Sequence, residues 1–162
     1  MKINKKYMKL LRTLHIFSAS IWFGATVCIF GIMLKCFFAA DEQEFLLLAP
    51  LTLTLYQTVV LPFALFTMLQ GLIYSIFTNW GFLKHKWVTI KWLSVIVTGC
   101  LIGVGSISRM QSAIARAESG NFNGGFTDGY APLIFTALQI LVMIVMIILS
   151  VYKPFKSENK KR

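Results

Sequence analysis

Four long apolar runs, separated by short polar segments, dominate the chain. They cover residues 13–38, 50–78, 87–108 and 130–152. A helix needs about 20 mostly apolar residues to cross the ~30 Å hydrocarbon core of a bilayer, and each run is long enough for one crossing. The pattern therefore predicts an all-α fold, a transmembrane four-helix bundle that forms a single membrane domain over residues 1–162.

The second apolar run has an ambiguous beginning. The segment FLLLAPLTLTL, residues 45–55, is also apolar and leads directly into it. Residues 45–78 are together too long for one perpendicular crossing, and Pro50 and Pro62 interrupt them. Two arrangements stay open: the segment lies along the outer interface, or it continues the second span as a tilted, kinked helix.

Composition agrees with a membrane protein, since 57% of the residues are hydrophobic, 14% are charged and the mean hydropathy is +0.71. No Walker loop, dinucleotide fingerprint or nucleophile motif is present, and no paired carboxylates lie within the apolar runs. The chemistry of typical soluble enzymes is therefore not indicated.

The net charge of +10 follows the predicted topology. Five of the six acidic residues lie in the first and third connections, whereas basic residues flank the other ends of the spans. Positive residues are retained on the cytoplasmic side of a membrane. Both termini and the middle connection are therefore expected on the cytoplasmic side of a bacterial cytoplasmic (inner) membrane. This distribution argues against nucleic acid and makes membrane lipid the expected partner. The basic residues that flank these ends are Lys2, Lys5, Lys6, Lys9, Arg12, Lys84, Lys86, Lys153, Lys156, Lys160, Lys161 and Arg162.

Few polar residues lie inside the spans, and such residues mark interior faces because they are costly in lipid. His15 and Trp22 are seven residues apart, which places them on one face of the first helix. Lys91 opens the third span at a depth similar to that of His15. If the two faces meet, they form a polar pocket in the cytoplasmic half of the bundle.

Each of these residues has a functional and an ordinary interpretation. His15 is either an axial ligand to haem iron or an interfacial histidine that bonds a neighbour. Lys91 either pairs with a haem propionate or extends to the headgroups. A single histidine leaves the sixth iron position to Met68, a fourth-helix methionine (Met143 or Met146), His85, water or nothing.

Gly99 and Gly103 form a GxxxG motif suited to close helix packing.

Three short motifs carry a family resemblance: LHIFSASIWFGA in the first helix, WVTIK at the start of the third and VYKPF after the fourth. They resemble the CopD-like and HemJ-like four-helix membrane proteins. The resemblance implies haem b at His15, with Lys91 as a second functional position. The HemJ-like branch implies oxidation of protoporphyrinogen with electrons passed to the respiratory chain, and the CopD-like branch implies copper handling.

The chain also departs from both branches. After Trp22 it reads FGATVCIFGIMLK, without the Pro-Arg and second histidine of the HemJ pattern, and it lacks an outer cluster of Met and His. The leading hypothesis is a haem b protein in a redox or haem-pathway role, with His15 as metal ligand, Lys91 and Trp22 as cofactor contacts and a respiratory-chain or haem-pathway partner. The alternative is a non-catalytic bundle that handles copper or another metal or binds a partner protein. The sequence leaves homo-oligomerisation open.

Overall fold

Four helices make up most of the chain in the computed structural model, which describes residues 5–77 and 86–152. All four are long and apolar enough to cross a membrane, and the described residues contain no strand. The expected all-α, four-helix architecture is therefore confirmed. The helices are α1 (Lys5–Phe37), α2 (Glu42–Phe77), α3 (Lys86–Glu118) and α4 (Gly125–Tyr152).

Helices α2 and α3 are longer than the apolar spans expected for them. Their 36 and 33 residues correspond to about 54 and 50 Å at ~1.5 Å per residue, well above the ~30 Å hydrocarbon core. The polar final part of α3, Ser108–Glu118, packs on the first part of α2, Glu42–Leu55. The apolar segment at residues 45–55 thus belongs to a continuous α2.

Each of these two helices contains one π-helical turn, at Tyr56–Val60 in α2 and at Leu101–Ile107 in α3. Leu61 N–H donates to the Tyr56 carbonyl, five residues back, directly before Pro62. Proline removes one α-helical hydrogen bond and crowds the preceding turn, and a wider turn relieves that crowding. The extra residue rotates the helix face that follows it.

The helices pack in an order that places α1 diagonally across from the first half of α3. Helix α1 packs on α2 and α4, whereas the Lys86–Cys100 part of α3 packs on α4. Tyr74, near the end of α2, donates from its hydroxyl to the carbonyl of Met8 at 3.3 Å. We call this end of the bundle, where α1 and α3 begin and α2 ends, the terminal end. The buried stripe of α1 is Ser18, Trp22, Thr26, Ile29, Met33 and Cys36.

Close helix approach depends on glycines other than the GxxxG pair. A Cβ at Gly99 or Gly103 would meet nothing within 4 Å, so neither glycine serves the packing expected from the motif. In contrast, a Cβ at Gly105 would lie 2.5 Å from the ring of Phe135, and one at Gly125 would collide with the Cys36 carbonyl. Helix α4 therefore meets α1 through Gly125 and meets α3 through Gly105.

A buried carboxylate fixes the connection between α3 and α4. Asp128 is 2% exposed, and its Oδ1 accepts from Arg116 Nε at 2.9 Å and Nη2 at 2.6 Å. Its Oδ2 accepts from the Asn123 backbone N–H at 3.1 Å. The ion pair thus holds the end of α3, the loop and the first turn of α4 together.

Replacing Arg116 by Gln should lower the free energy of unfolding by about 1–3 kcal/mol, because a buried carboxylate loses its charged donor. Half-exposure of the Arg116 side chain, 46%, keeps the loss below that of a fully buried pair. Thermal unfolding in detergent measures this loss of stability. Arg109→Gln, at an exposed position of the same helix, is the control, and equal losses for the two variants would contradict the assignment.

Gly125→Ala should destabilise the bundle by about 1–3 kcal/mol, because backbone atoms of α1 cannot move aside for the new methyl group. Gly24→Ala, in open space on α1, should instead be neutral or stabilising by up to about 1 kcal/mol through helix propensity. The midpoints of thermal unfolding compare the two. A tolerated Gly125→Ala would show that α1 and α4 do not approach this closely.

Candidate functional site

A short chain of polar side chains joins α1 to α2 in the terminal half of the bundle. Thr67 Oγ1 donates to Ser18 Oγ at 2.8 Å, and Ser18 Oγ donates to Gln70 Oε1 at 2.9 Å. All three residues are buried, with 8%, 0% and 2% of their surfaces exposed. This chain fixes the Gln70 amide within the seam between the two helices.

His15 lies one turn from Ser18, at the edge of this chain. Its ring is half-buried and has the Gln70 side chain and the Thr67 backbone as polar neighbours. The ring of Tyr74 meets it edge-on, with centroids 6.2 Å apart and planes at 78°. The predicted ligand is therefore held by contacts with α2 rather than lying free in the headgroup layer.

Three buried nitrogen atoms have no hydrogen-bond partner: His15 Nδ1, Gln70 Nε2 and Trp22 Nε1. Trp22 is 6% exposed and lies on the same stripe of α1 as Ser18. Within residues 5–77 and 86–152, no other buried side-chain nitrogen or oxygen is left unpaired. Since an unpaired N–H is costly where water is excluded, these atoms mark a place suited to a bound group.

A second polar cluster, nearer the middle of α2 and α4, is by contrast fully bonded. Tyr56 Oη contacts Thr136 Oγ1 at 3.0 Å and donates to Gln139 Oε1 at 3.2 Å. Gln139 Nε2 donates to Thr26 Oγ1 at 3.2 Å, and Ser106 Oγ lies 3.0 Å from Thr136 Oγ1. Every member has a partner within the bundle. We call these five residues the central cluster, and its role is to join the four helices.

Sequence reasoning missed most of the central cluster. The sequence pattern predicts no role for Tyr56, Ser106, Thr136 or Gln139. The feature of the sequence that could have identified this cluster is the presence of hydroxyl side chains inside the apolar runs. Their convergence depends on the two π turns, which carry Tyr56 and Ser106.

Lys91 lies on α3 at the terminal end, half-buried, with its Nζ 5.3 Å from the centroid of the Trp87 ring. Trp92 Nε1 donates to Ser75 Oγ at 3.4 Å, which ties this part of α3 to α2. Lys91 and His15 therefore lie toward the same end of the bundle, on helices that are not neighbours there.

The other candidate iron ligands are three methionines and His85. Met143 is buried in the core at 4% exposure, while Met68 and Met146 are half-buried. His85 lies outside the described residues. In the part of the chain that the structure describes, no group of three or more His, Cys, Asp or Glu is arranged to hold a metal ion. A cofactor that brings its own metal ligands needs only one protein ligand, and His15 is the candidate.

Comparison with known proteins adds no relative: no family model, curated protein or solved structure matches the chain. The resemblance to CopD-like and HemJ-like proteins accordingly stays a prediction that rests on three short motifs. The geometry of the described residues is the firmer basis for a functional proposal.

Tyr56→Phe should destabilise the protein by about 1–2 kcal/mol, because it removes one hydroxyl and leaves Thr136 and Gln139 with fewer partners. The matched control is Tyr7→Phe, at a position that is 64% exposed, which should change stability by less than about 0.5 kcal/mol. Unfolding in detergent, followed by helical circular dichroism, measures both. Equal stability of the two variants would show that the central cluster does not join the helices.

Proposed function

We propose that the protein is a multi-pass protein of a bacterial cytoplasmic membrane that binds one haem b through His15 and acts in electron transfer or haem-pathway chemistry. The observation that carries the proposal is that three buried side-chain nitrogen atoms, His15 Nδ1, Gln70 Nε2 and Trp22 Nε1, have no hydrogen-bond partner. The other buried side-chain polar atoms in the described chain are paired, so the unpaired atoms of the neighbouring His15 and Gln70 side chains favour a bound ligand beside them.

The residues of the terminal half suit haem in kind. A neutral imidazole is a good iron ligand, and a lysine suits a propionate carboxylate. The hydrogen bonds of Ser18 with Thr67 and Gln70 close the seam between α1 and α2. His15 and Lys91, which both lie toward the terminal end, would be the residues that contact the iron and a propionate of a haem bound there.

Each residue then has a distinct task. His15 would bind the iron, Lys91 would neutralise a propionate, and Trp22 would pack on the macrocycle, with its Nε1–H available to an acceptor group. Bound haem supplies one-electron redox chemistry, and the surrounding apolar helices exclude water from it.

Orientation and partners follow from charge and from the resemblance. The basic residues beside the terminal end favour both termini in the cytoplasm, so the haem lies in the cytoplasmic half. A component of the respiratory chain or of the haem pathway is then the partner, and the activity that the resemblance implies is protoporphyrinogen oxidation. The missing Pro-Arg and second histidine make haem binding the primary proposal and the oxidation step a secondary one.

A non-catalytic bundle is the second candidate function. The observation that favours it is the fully bonded central cluster, which joins the helices without any cofactor. Under this candidate, water molecules satisfy the three nitrogen atoms and the bundle binds a partner protein, copper or another metal. Variants of His15 and Lys91 would then have no effect on pigment.

Purification of the full-length chain in mild detergent, with haem supplied during expression, separates the candidates. The haem proposal predicts a Soret band that His15→Ala abolishes and that Lys91→Gln weakens by loss of a propionate contact. His85→Ala, the only other histidine of the chain, is the control and should retain the band. Absence of a Soret band, or an unchanged band in His15→Ala, would overturn the proposal.

A further inference from the structure

The unpaired atoms of His15 and Gln70 are complementary and belong to neighbouring side chains. In the observed orientation of the amide, Gln70 Oε1 accepts from Ser18, and Gln70 Nε2 has no partner. His15 Nδ1 also has no partner, although the Gln70 side chain is beside its ring. A half-turn of the amide would exchange its two end atoms and place an acceptor oxygen where Nε2 now lies.

Ser18 allows the Gln70 amide to turn over. Its hydroxyl has a second acceptor, the His15 carbonyl oxygen at 3.1 Å. After a half-turn of the amide, Gln70 Nε2 donates to Ser18 Oγ, which in turn donates to that carbonyl. A hydroxyl oxygen can accept two hydrogen bonds while donating one, so the bond from Thr67 is retained. The amide oxygen then replaces the nitrogen and becomes available to His15.

The surroundings of the ring decide which histidine nitrogen carries the proton. Thr67 lies within α2, where its backbone N–H bonds inside the helix, so only its carbonyl oxygen can face His15. A carbonyl oxygen is an acceptor only. A ring nitrogen among acceptors is most stable as N–H, and Nδ1 is the ring nitrogen that is buried without a partner.

We infer that Gln70 is a positioning residue that holds His15 as its Nδ1–H tautomer, with the amide oxygen accepting from Nδ1, so that the Nε2 lone pair is presented to a ligand. Histidines that bind a metal ordinarily donate their other N–H to such a partner, which fixes the tautomer and the ring orientation. The inference rests on the proposed function only for the identity of that ligand. It gives Gln70 a role that sequence reasoning did not assign.

Side-chain ¹⁵N NMR of histidine-labelled, haem-free, full-length protein in detergent at about pH 8, where free imidazole is neutral, tests the tautomer directly. The chain has two histidines, and the variant His85→Gln assigns their signals. For His15 we expect the proton on Nδ1 in the wild type. A predominant Nε2–H form would overturn the inference.

Variants of Gln70 test whether the glutamine is responsible. Gln70→Leu, which removes the acceptor, should abolish the preference for Nδ1–H, whereas Gln70→Glu, which keeps an acceptor oxygen, should preserve it. Gln111→Leu, at an exposed position of α3, is the control and should leave the tautomer unchanged. An unchanged tautomer in Gln70→Leu would overturn the inference, and the wild-type spectrum decides it even if that variant fails to fold.

Haem titration separates this inference from the proposed function. With a Soret band in the wild type, Gln70→Leu should weaken haem affinity by about 10- to 100-fold, as expected for the loss of a ligand's hydrogen-bond partner. An Nδ1–H tautomer without any haem binding would overturn the proposed function and support the inference. Haem binding by His15 with unaltered affinity in Gln70→Leu would overturn the inference and support the proposed function.

Discussion

The absence of water from the bilayer core is the constraint on which this structure depends. A polar side chain inside a bundle must find its partner on another helix, on its own backbone or on a bound group. Tyr56 and Gln139 meet this requirement through neighbouring helices, and Ser94 and Thr98 meet it by bonding carbonyls of their own helix. His15, Gln70 and Trp22 do not meet it fully. The requirement therefore divides the polar residues into those that join helices, those that bond within their own helix and those that suggest a ligand.

The two π turns explain how the joined set is assembled from residues without an obvious periodicity. Each turn adds a residue to an otherwise regular helix and so rotates the face that follows. Tyr56 opens the turn in α2, and Ser106 lies near the end of the turn in α3. Both side chains then reach Thr136 on α4. In an uninterrupted α-helix, the residues before and after these positions would follow one 3.6-residue periodicity, and a different set of side chains would face inward.

The sequence was sufficient to predict the coarse architecture, because lengths and polarities of apolar runs are local properties. The seven-residue spacing of His15 and Trp22 also predicted a shared face, since both lie in one unbroken helix. The contacts among helices were harder to predict. The GxxxG pair was expected to pack closely, yet Gly105 is the α3 glycine that meets a neighbour, because helix rotation decides which residue faces inward. The role of Gln70 required its three-dimensional partners, Ser18 and Thr67, to be known.

The two polar clusters differ in how completely they are bonded. This difference explains how so small a bundle could keep its fold and still contain the proposed binding site. A fully bonded network opposes rearrangement, because moving one member leaves several groups unpaired where water cannot replace them. The central cluster joins all four helices and so provides this resistance. The terminal half can then retain unpaired nitrogen atoms and a half-buried histidine without losing the fold. Ser18 belongs to this half, and its two alternative acceptors let the Gln70 amide adapt to a ligand while the helices stay in place. A rigid cluster beside an adaptable one would suit the proposed haem site, because the residues that hold the fold together are then not the ones that contact the ligand.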